Sequence, residues 1–171
     1  FSELMSDFGG AYYGMYFCEL ADYYTRENND ELQIMKLLYQ SLRALTKKSL
    51  DRELVRYIYE LKIFQFAGEY PECFGCSTCG AKENLKYFSM FQAGMICEDC
   101  RAKAKDGLIM HPSTVYAMQF ILSTEVEKLY TFTVSKEVLA YLRMIMDRVR
   151  ERYLDKTMKS LEILESVKDI C

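Results

Sequence analysis

Cys76-Ser77-Thr78-Cys79-Gly80, answered further on by Cys97-Glu98-Asp99-Cys100, is the stretch on which the reading of this chain turns. Seventeen residues, Gly80 to Ile96, separate the two pairs. A two-residue gap lets both thiolates of a pair turn onto one metal ion. Two such pairs complete a tetrahedral four-sulfur shell, the usual structural zinc site. Two disulfides or a dithiol redox centre are the competing readings. Cys73 makes the first pair ambiguous, because Cys73-x-x-Cys76 has the same form. Gly80 directly after Cys79 favours Cys76 and Cys79, since C-x-x-C-G is the common knuckle. Structural zinc is thus expected on Cys76, Cys79, Cys97 and Cys100, with Cys73 as a buried apolar residue. His111, the only histidine, could stand in for a cysteine, but four available thiolates leave it as a turn residue.

Around these cysteines the pattern is that of a small ribbon. Gly75, Gly80 and Gly94 give freedom for tight turns. Tyr87-Phe88-Ser89-Met90-Phe91 reads as one strand, and Gly94-Met95-Ile96 as a second leading into the last cysteine pair.

Outside residues 73–108 the spacing is helical. Tyr13, Tyr16, Phe17, Leu20, Tyr23 and Tyr24 make an apolar stripe over 11–26, and Asn28-Asn29-Asp30 breaks it and offers a cap. Ile34, Leu37, Leu38, Ser41, Leu42 and Leu45 share the face of a second helix. A third, from about Asp51, carries Leu54, Tyr57, Ile58, Leu61 and Phe64 and stops near Gly68. After Pro112, Ser113 and Thr114 can open a helix with Val115, Met118, Ile121 and Leu122 inward, and Thr124-x-x-Glu127 has capping-box form. From Ser135 the series Val138, Leu142, Ile145, Val149, Tyr153, Leu161, Leu164 and Val167 predicts helix almost to the end. The expected fold is mainly α: a helical bundle with an inserted four-cysteine zinc-ribbon-like segment. Residues 1–72 and 109–171 form the helical domain and 73–108 the insert.

With 171 residues, half of them hydrophobic and 27% charged, the chain can bury a core and is not disordered. Its formal charge is −3; four thiolates and a divalent ion would bring it to about −5. Such a chain is not a strongly basic nucleic-acid binder overall, so any such contact needs a local patch. No apolar run reaches membrane length and no signal peptide precedes Phe1. Unpaired Cys18, Cys73 and Cys171 beside a metal site suit a reducing cytoplasm, Cys18 reading as core and Cys171 carrying no signal. A first residue other than Met suggests part of a longer protein. With one histidine and no GxGxxG, P-loop, H-E-x-x-H or nucleophile elbow, no enzyme is expected.

Two basic clusters remain. Lys82, Lys86, Arg101, Lys103 and Lys105 lie in the cysteine segment. Arg143, Arg148, Arg150, Arg152, Lys156 and Lys159 lie near the end, interleaved with Asp147, Glu151 and Asp155. Each reads either as a solvated face or as a surface for an anionic partner, phosphate or acidic peptide. The aromatic residues at helical spacing read as core rather than as base-stacking platforms.

The order of these features resembles a known family. Gly68-x-Tyr70-Pro71, Cys76-x-x-Cys79-Gly80, Tyr87-Phe88-Ser89, Gly94-x-x-Cys97-x-x-Cys100 and Tyr153-Leu154-x-Lys156-x-x-Lys159-Ser160-Leu161 follow one another as in the C-terminal region of the bacterial RecO family of recombination mediators. The likeness runs from about Ala11 to Leu164. The family usually has a hydrophobic residue at the position of Cys73, and its members vary in keeping the four cysteines. Its N-terminal OB-fold domain, which carries much of the DNA binding, has no counterpart here, and residues 1–10 make a shorter connection than the family's. The resemblance implies a non-enzymatic, nucleoid-associated role in the bacterial cytoplasm. Such proteins bind and anneal single-stranded DNA. They act with RecR to replace single-strand-binding protein by RecA. In some members an apolar pocket with a basic rim holds the acidic C-terminal tail of single-strand-binding protein. Here a helix over 135–161 would supply that rim through Arg143, Arg148, Arg152, Lys156 and Lys159. In the alternative, the ribbon contacts DNA directly through Lys82, Lys86, Arg101, Lys103 and Lys105.

Overall fold

The computed structural model describes residues 2–170, so Phe1 and Cys171 lie outside the described residues. Among the described residues, seven α-helices and a three-stranded sheet make up a mainly α protein: α1 (Ser2–Ser6), α2 (Phe8–Tyr24), α3 (Leu32–Leu45), α4 (Arg52–Phe66), β1 (Leu85–Ser89), β2 (Gly94–Cys97), β3 (Leu108–Ile109), α5 (Pro112–Ser123), α6 (Lys136–Tyr153) and α7 (Lys159–Val167). They divide into two compact units. One takes the chain to Ala67, Thr124–Thr133 and the residues from Lys156 on; the other takes Gly68–Ser123 and Val134–Asp155.

In the first unit α2 packs against α1, α3, α4 and α7. Asp7 opens α2 by accepting the Gly10 N–H at 3.3 Å, and Asp51 opens α4 by accepting that of Glu53 at 2.8 Å. The expected stripe holds in part: Tyr13, Tyr16, Phe17 and Leu20 are buried, whereas Tyr23 and Tyr24 are half-buried. Asp30 accepts the Leu32 N–H at 3.2 Å, so the polar break does serve the start of α3. In α4 the inward face expected from spacing is buried, and so is the opposite side: Arg56, Glu60 and Lys62 are as enclosed as Leu61. The helix is therefore central, and its polar residues need internal partners.

Arg56 finds them. Its guanidinium, 1% exposed, donates to Glu60 at 3.0 Å and to Glu165 of α7 at 2.6 Å, and lies 3.5 Å from Glu53. Tyr16 donates to Glu60 at 2.8 Å, and Tyr13 to Glu53 at 2.6 Å. Burial would raise the Glu165 carboxyl, but donors from Lys168 and Arg56 outweigh it and hold it at about 2.

Three expectations change here. The helical spacing past Tyr153 does not belong to one helix: α6 ends there, Leu154 is extended, and α7 begins afresh at Lys159. Thr124-x-x-Glu127 makes no cap; a short 3-10 turn, Val126–Lys128, follows Glu125 without a side-chain acceptor. Cys18 is exposed rather than core, because it sits one residue round the helix from the buried Phe17.

In the second unit β1 pairs antiparallel with β2 and with β3, giving the order β2-β1-β3. Met90 and Phe91, expected in the first strand, form the turn beyond it. Two-residue β3 was not expected; it is too short to show a period. Phe88 and Met95 are fully buried. Gly94 lies against the Glu72 backbone, where a Cβ would come within 2.3 Å of the Glu72 oxygen. Ser135 caps α6 by accepting the Val138 N–H at 3.2 Å. His111 precedes α5 and accepts the Ser113 N–H on Nδ1 at 3.1 Å, a turn role as expected. Among the described residues no helix is long and apolar enough to cross a membrane.

Candidate functional site

The ribbon brings Cys76, Cys79, Cys97 and Cys100 together, with all four sulfurs within 4.8 Å of one another. Two turns do this. In the first, Gly80 adopts φ +78° and donates its N–H to Cys76 O at 2.8 Å, while Cys76 N–H reaches Ala81 O at 2.8 Å. A left-handed residue at that place explains the glycine. The second follows β2 directly, so Cys97 ends a strand and Cys100 lies in the 3-10 turn Glu98–Lys103. Ser77 N–H on Met95 O, at 2.8 Å, ties the first turn to β2.

The spacing fits a metal and not a disulfide. Cys79 and Cys97 sulfurs stand 3.7 Å apart. A disulfide needs about 2.05 Å. Four sulfurs at about 2.3 Å from a central ion stand about 3.8 Å apart. Burial works against ionising Cys76, yet the N–H groups of Cys97, Cys79 and Thr78 outweigh it and lower that thiol to about 6. Burial, and hydrogen bonds with the other cysteines, push Cys100 up to about 12 and raise Cys97. Like charges so close together repel, and a divalent cation is what would allow four thiolates. Cys73 stays out of the group: it is buried, its thiol donates to Pro71 O at 3.4 Å, and burial raises its pKa. The group that could hold a metal ion therefore includes Cys76 and Cys79 and leaves Cys73 out.

The basic residues fare differently from one another. Lys86 lies 3.5 Å from Glu98, and the Arg101 guanidinium sits over the Tyr87 ring at 5.3 Å, so two of the five ribbon cations are engaged within it. Lys82, Lys103 and Lys105 are exposed. Arg143, Arg148 and Arg152 lie on α6, Lys156 in the connection after it, and Lys159 at the first position of α7. Arg148 and Arg152 reach back to ribbon carbonyls, Asp106 O at 3.3 Å and Met90 O at 3.1 Å.

The first unit holds a surface that the sequence reading missed. An apolar groove of about 640 Å³ runs between α1, α2 and α7, lined by Met5, Met15, Cys18, Leu42 and Ile163. Lys159 and Glu19 also line it. Glu19 is occupied: it accepts the N–H groups of Lys159 and Ser160, at 3.2 and 2.9 Å, and the Ser160 hydroxyl. It thereby fills the start of α7, where Met158 offers no side-chain cap. Burial would raise the Glu19 carboxyl, but these bonds and nearby Lys156 lower it. The Met and Ile positions were visible in the sequence as off-stripe apolar residues, a signal too common to single out.

Comparison with known proteins places these features in a family. Residues 5–162 match the family model described as recombination protein O C terminal. Similar curated proteins are each called DNA repair protein RecO. The one from Caldicellulosiruptor saccharolyticus is 30% identical, over 91% of this chain and 63% of its own length. That from Desulforamulus reducens is 28% identical, over 96% and 64%. That from Thermoanaerobacter sp. is 26% identical, over 91% and 62%. The chain thus spans less than two thirds of these relatives.

Proposed function

The chain belongs to the family of recombination protein O C-terminal regions, and from that premise we propose that it is the helical, metal-holding part of a recombination mediator in DNA repair. In this reading it acts with RecR to load RecA on single-stranded DNA coated by single-strand-binding protein, and promotes annealing. Much of the DNA binding falls to a region outside this chain. The site of action is the bacterial cytoplasm, at the nucleoid.

The metal is zinc, held by Cys76, Cys79, Cys97 and Cys100. Soft thiolates at tetrahedral spacing suit it. Bound there, it would supply a cross-link between two turns and no reaction, since four thiolates leave no open position for a substrate. The role is therefore binding and not catalysis.

The apolar groove beside Lys159 is the observation that carries the partner-binding part. An acidic tail ending in an apolar residue needs a greasy recess and a cation for its carboxylates. Met15, Leu42 and Ile163 offer the first, and Lys159 at the α7 N-terminus offers the second. Titrating the chain with a fluorescent acidic peptide that ends in a hydrophobic residue tests this. Lys159→Glu is expected to weaken binding about tenfold, and Met15→Asp to abolish it. Absence of binding, or binding indifferent to both changes, overturns the assignment.

Direct contact between the ribbon and DNA is the second reading. It is favoured by the arrangement at the ribbon tip rather than by Lys86 and Arg101, which are already engaged.

A further inference from the structure

Two cationic clusters far apart in sequence meet at the tip of the ribbon. Arg152 Nη1 donates to Met90 O at 3.1 Å, and Arg148 Nη1 donates to Asp106 O at 3.3 Å. The Asp106 carboxylate in turn accepts the Phe91 N–H at 3.0 Å and the Ser89 hydroxyl. Ser89 Oγ accepts the Gln92 N–H at 3.1 Å, and Met90 O accepts that of Ala93 at 3.1 Å. The turn after β1 is thus bonded at every residue from Met90 to Ala93. At its crest stands Phe91, 81% exposed.

That combination has no use in packing. Turn crests ordinarily carry Gly, Asn, Asp or Ser, and a phenyl ring held in water by a fully bonded turn contributes nothing to the core beneath it. The charges beside it are available. Among the described residues neither Arg148 nor Arg152 pairs with a carboxylate; the Arg152 guanidinium also lies over the Tyr153 ring at 5.7 Å, and each arginine keeps further N–H donors beyond the one that holds its carbonyl. Lys105, next to Asp106, is exposed. Asp106 is taken up by Ser89 and Phe91, and Asp147 by Arg150. Glu151 on α6 and Asp155 just beyond its end moderate the field, so charge alone does not make this a strong polyanion surface. The ring has to add selectivity. A convex crest cannot enclose an aliphatic side chain, but it offers a flat face, which is all that an unstacked base requires.

We propose that this crest is a contact for single-stranded nucleic acid: a base stacks on Phe91, and the neighbouring phosphates lie against Arg148, Arg152 and Lys105. The proposal rests on the DNA-repair reading above and gives that reading a contact on this chain. Stacking one base contributes on the order of a tenfold change in affinity.

The test is fluorescence anisotropy of the whole chain with a labelled single strand of about 20 nucleotides, longer than the sites such proteins occupy, and with a duplex of equal length, at several salt concentrations. Phe91→Ala is expected to weaken single-strand binding about tenfold with no change in melting temperature, because the ring is exposed. Phe91→Tyr, which keeps the flat face, stays within about twofold of wild type. Duplex binding ignores both changes. Lys105→Gln lowers the slope of log affinity against log salt by about 0.7. Single-strand binding that is indifferent to Phe91→Ala overturns the proposal, as does an equal loss on single strand and duplex. Absence of single-strand binding at low salt overturns it too, whereas the family reading stands or falls by the peptide titration.

Discussion

Replacing Arg56 by methionine is the sharpest test of how the first unit is held together. The guanidinium is 1% exposed and faces three carboxylates, of which Glu60 is 0% exposed. Methionine fills similar space but takes the guanidinium away from the enclosed Glu60, which also accepts from the Tyr16 hydroxyl at 2.8 Å. Removing one partner of a buried ion pair costs about 3–5 kcal/mol, because the buried carboxylate loses its counter-charge. For a chain of 171 residues that corresponds to a fall in melting temperature of about 10 °C. Adding Glu60→Gln removes the buried negative charge and keeps an oxygen for Tyr16, so the double variant should regain at least about half of the loss. Differential scanning calorimetry on wild type, both single variants and the double variant measures this directly. Because Arg56 also holds Glu165 of α7, amide exchange in α7 should quicken in the single variant. A loss below about 1 kcal/mol, or a double variant worse than the two losses added together, refutes the hub.

Acid should release the same latch. Glu165 is held at about 2, below its unfolded value, so its contribution is complete above about pH 4.3 and fades as pH falls towards 2; Glu165→Gln should flatten the dependence of melting temperature on pH across that window. Gly94→Ala places a methyl group 2.3 Å from Glu72 O and should cost about 2 kcal/mol, seen as a lower unfolding midpoint in urea, while an unchanged midpoint would show that the contact can relax. Cys73→Ala should leave one metal per chain and Cys76→Ala should lose it, by elemental analysis of dialysed protein; the reverse pattern would move the first ligand pair to Cys73 and Cys76.

What could be read from the sequence divides along physical lines. The clustering of cysteines is set by local spacing, so the group of Cys76, Cys79, Cys97 and Cys100, which could hold a metal ion, was legible in the sequence. Helices α2, α3 and α4 followed from one apolar face each. The complete burial of α4 did not, because Arg56, Glu60 and Lys62 look like surface residues until partners arrive from α7 for Arg56, from α2 for Glu60 and from Thr124 O, at 2.7 Å, for Lys62. The break between α6 and α7 was hidden because Leu161 and Leu164 continue the apolar spacing and no proline or glycine marks 154–158. Phe91 continues an aromatic run, and its N–H is held in the turn by Asp106, fifteen residues away. The groove is assembled from α1, α2, α3 and α7, none of which shows a recess alone.

The coordination of the ion itself bears most directly on the claim that the four cysteines hold a structural centre and that function lies on the surfaces of the fold. X-ray absorption at the zinc edge of the purified chain should show four sulfur neighbours at about 2.3 Å and no lighter atom in the first shell. Three sulfurs with an exchangeable oxygen or nitrogen would mean an open, reactive site and would contradict the account.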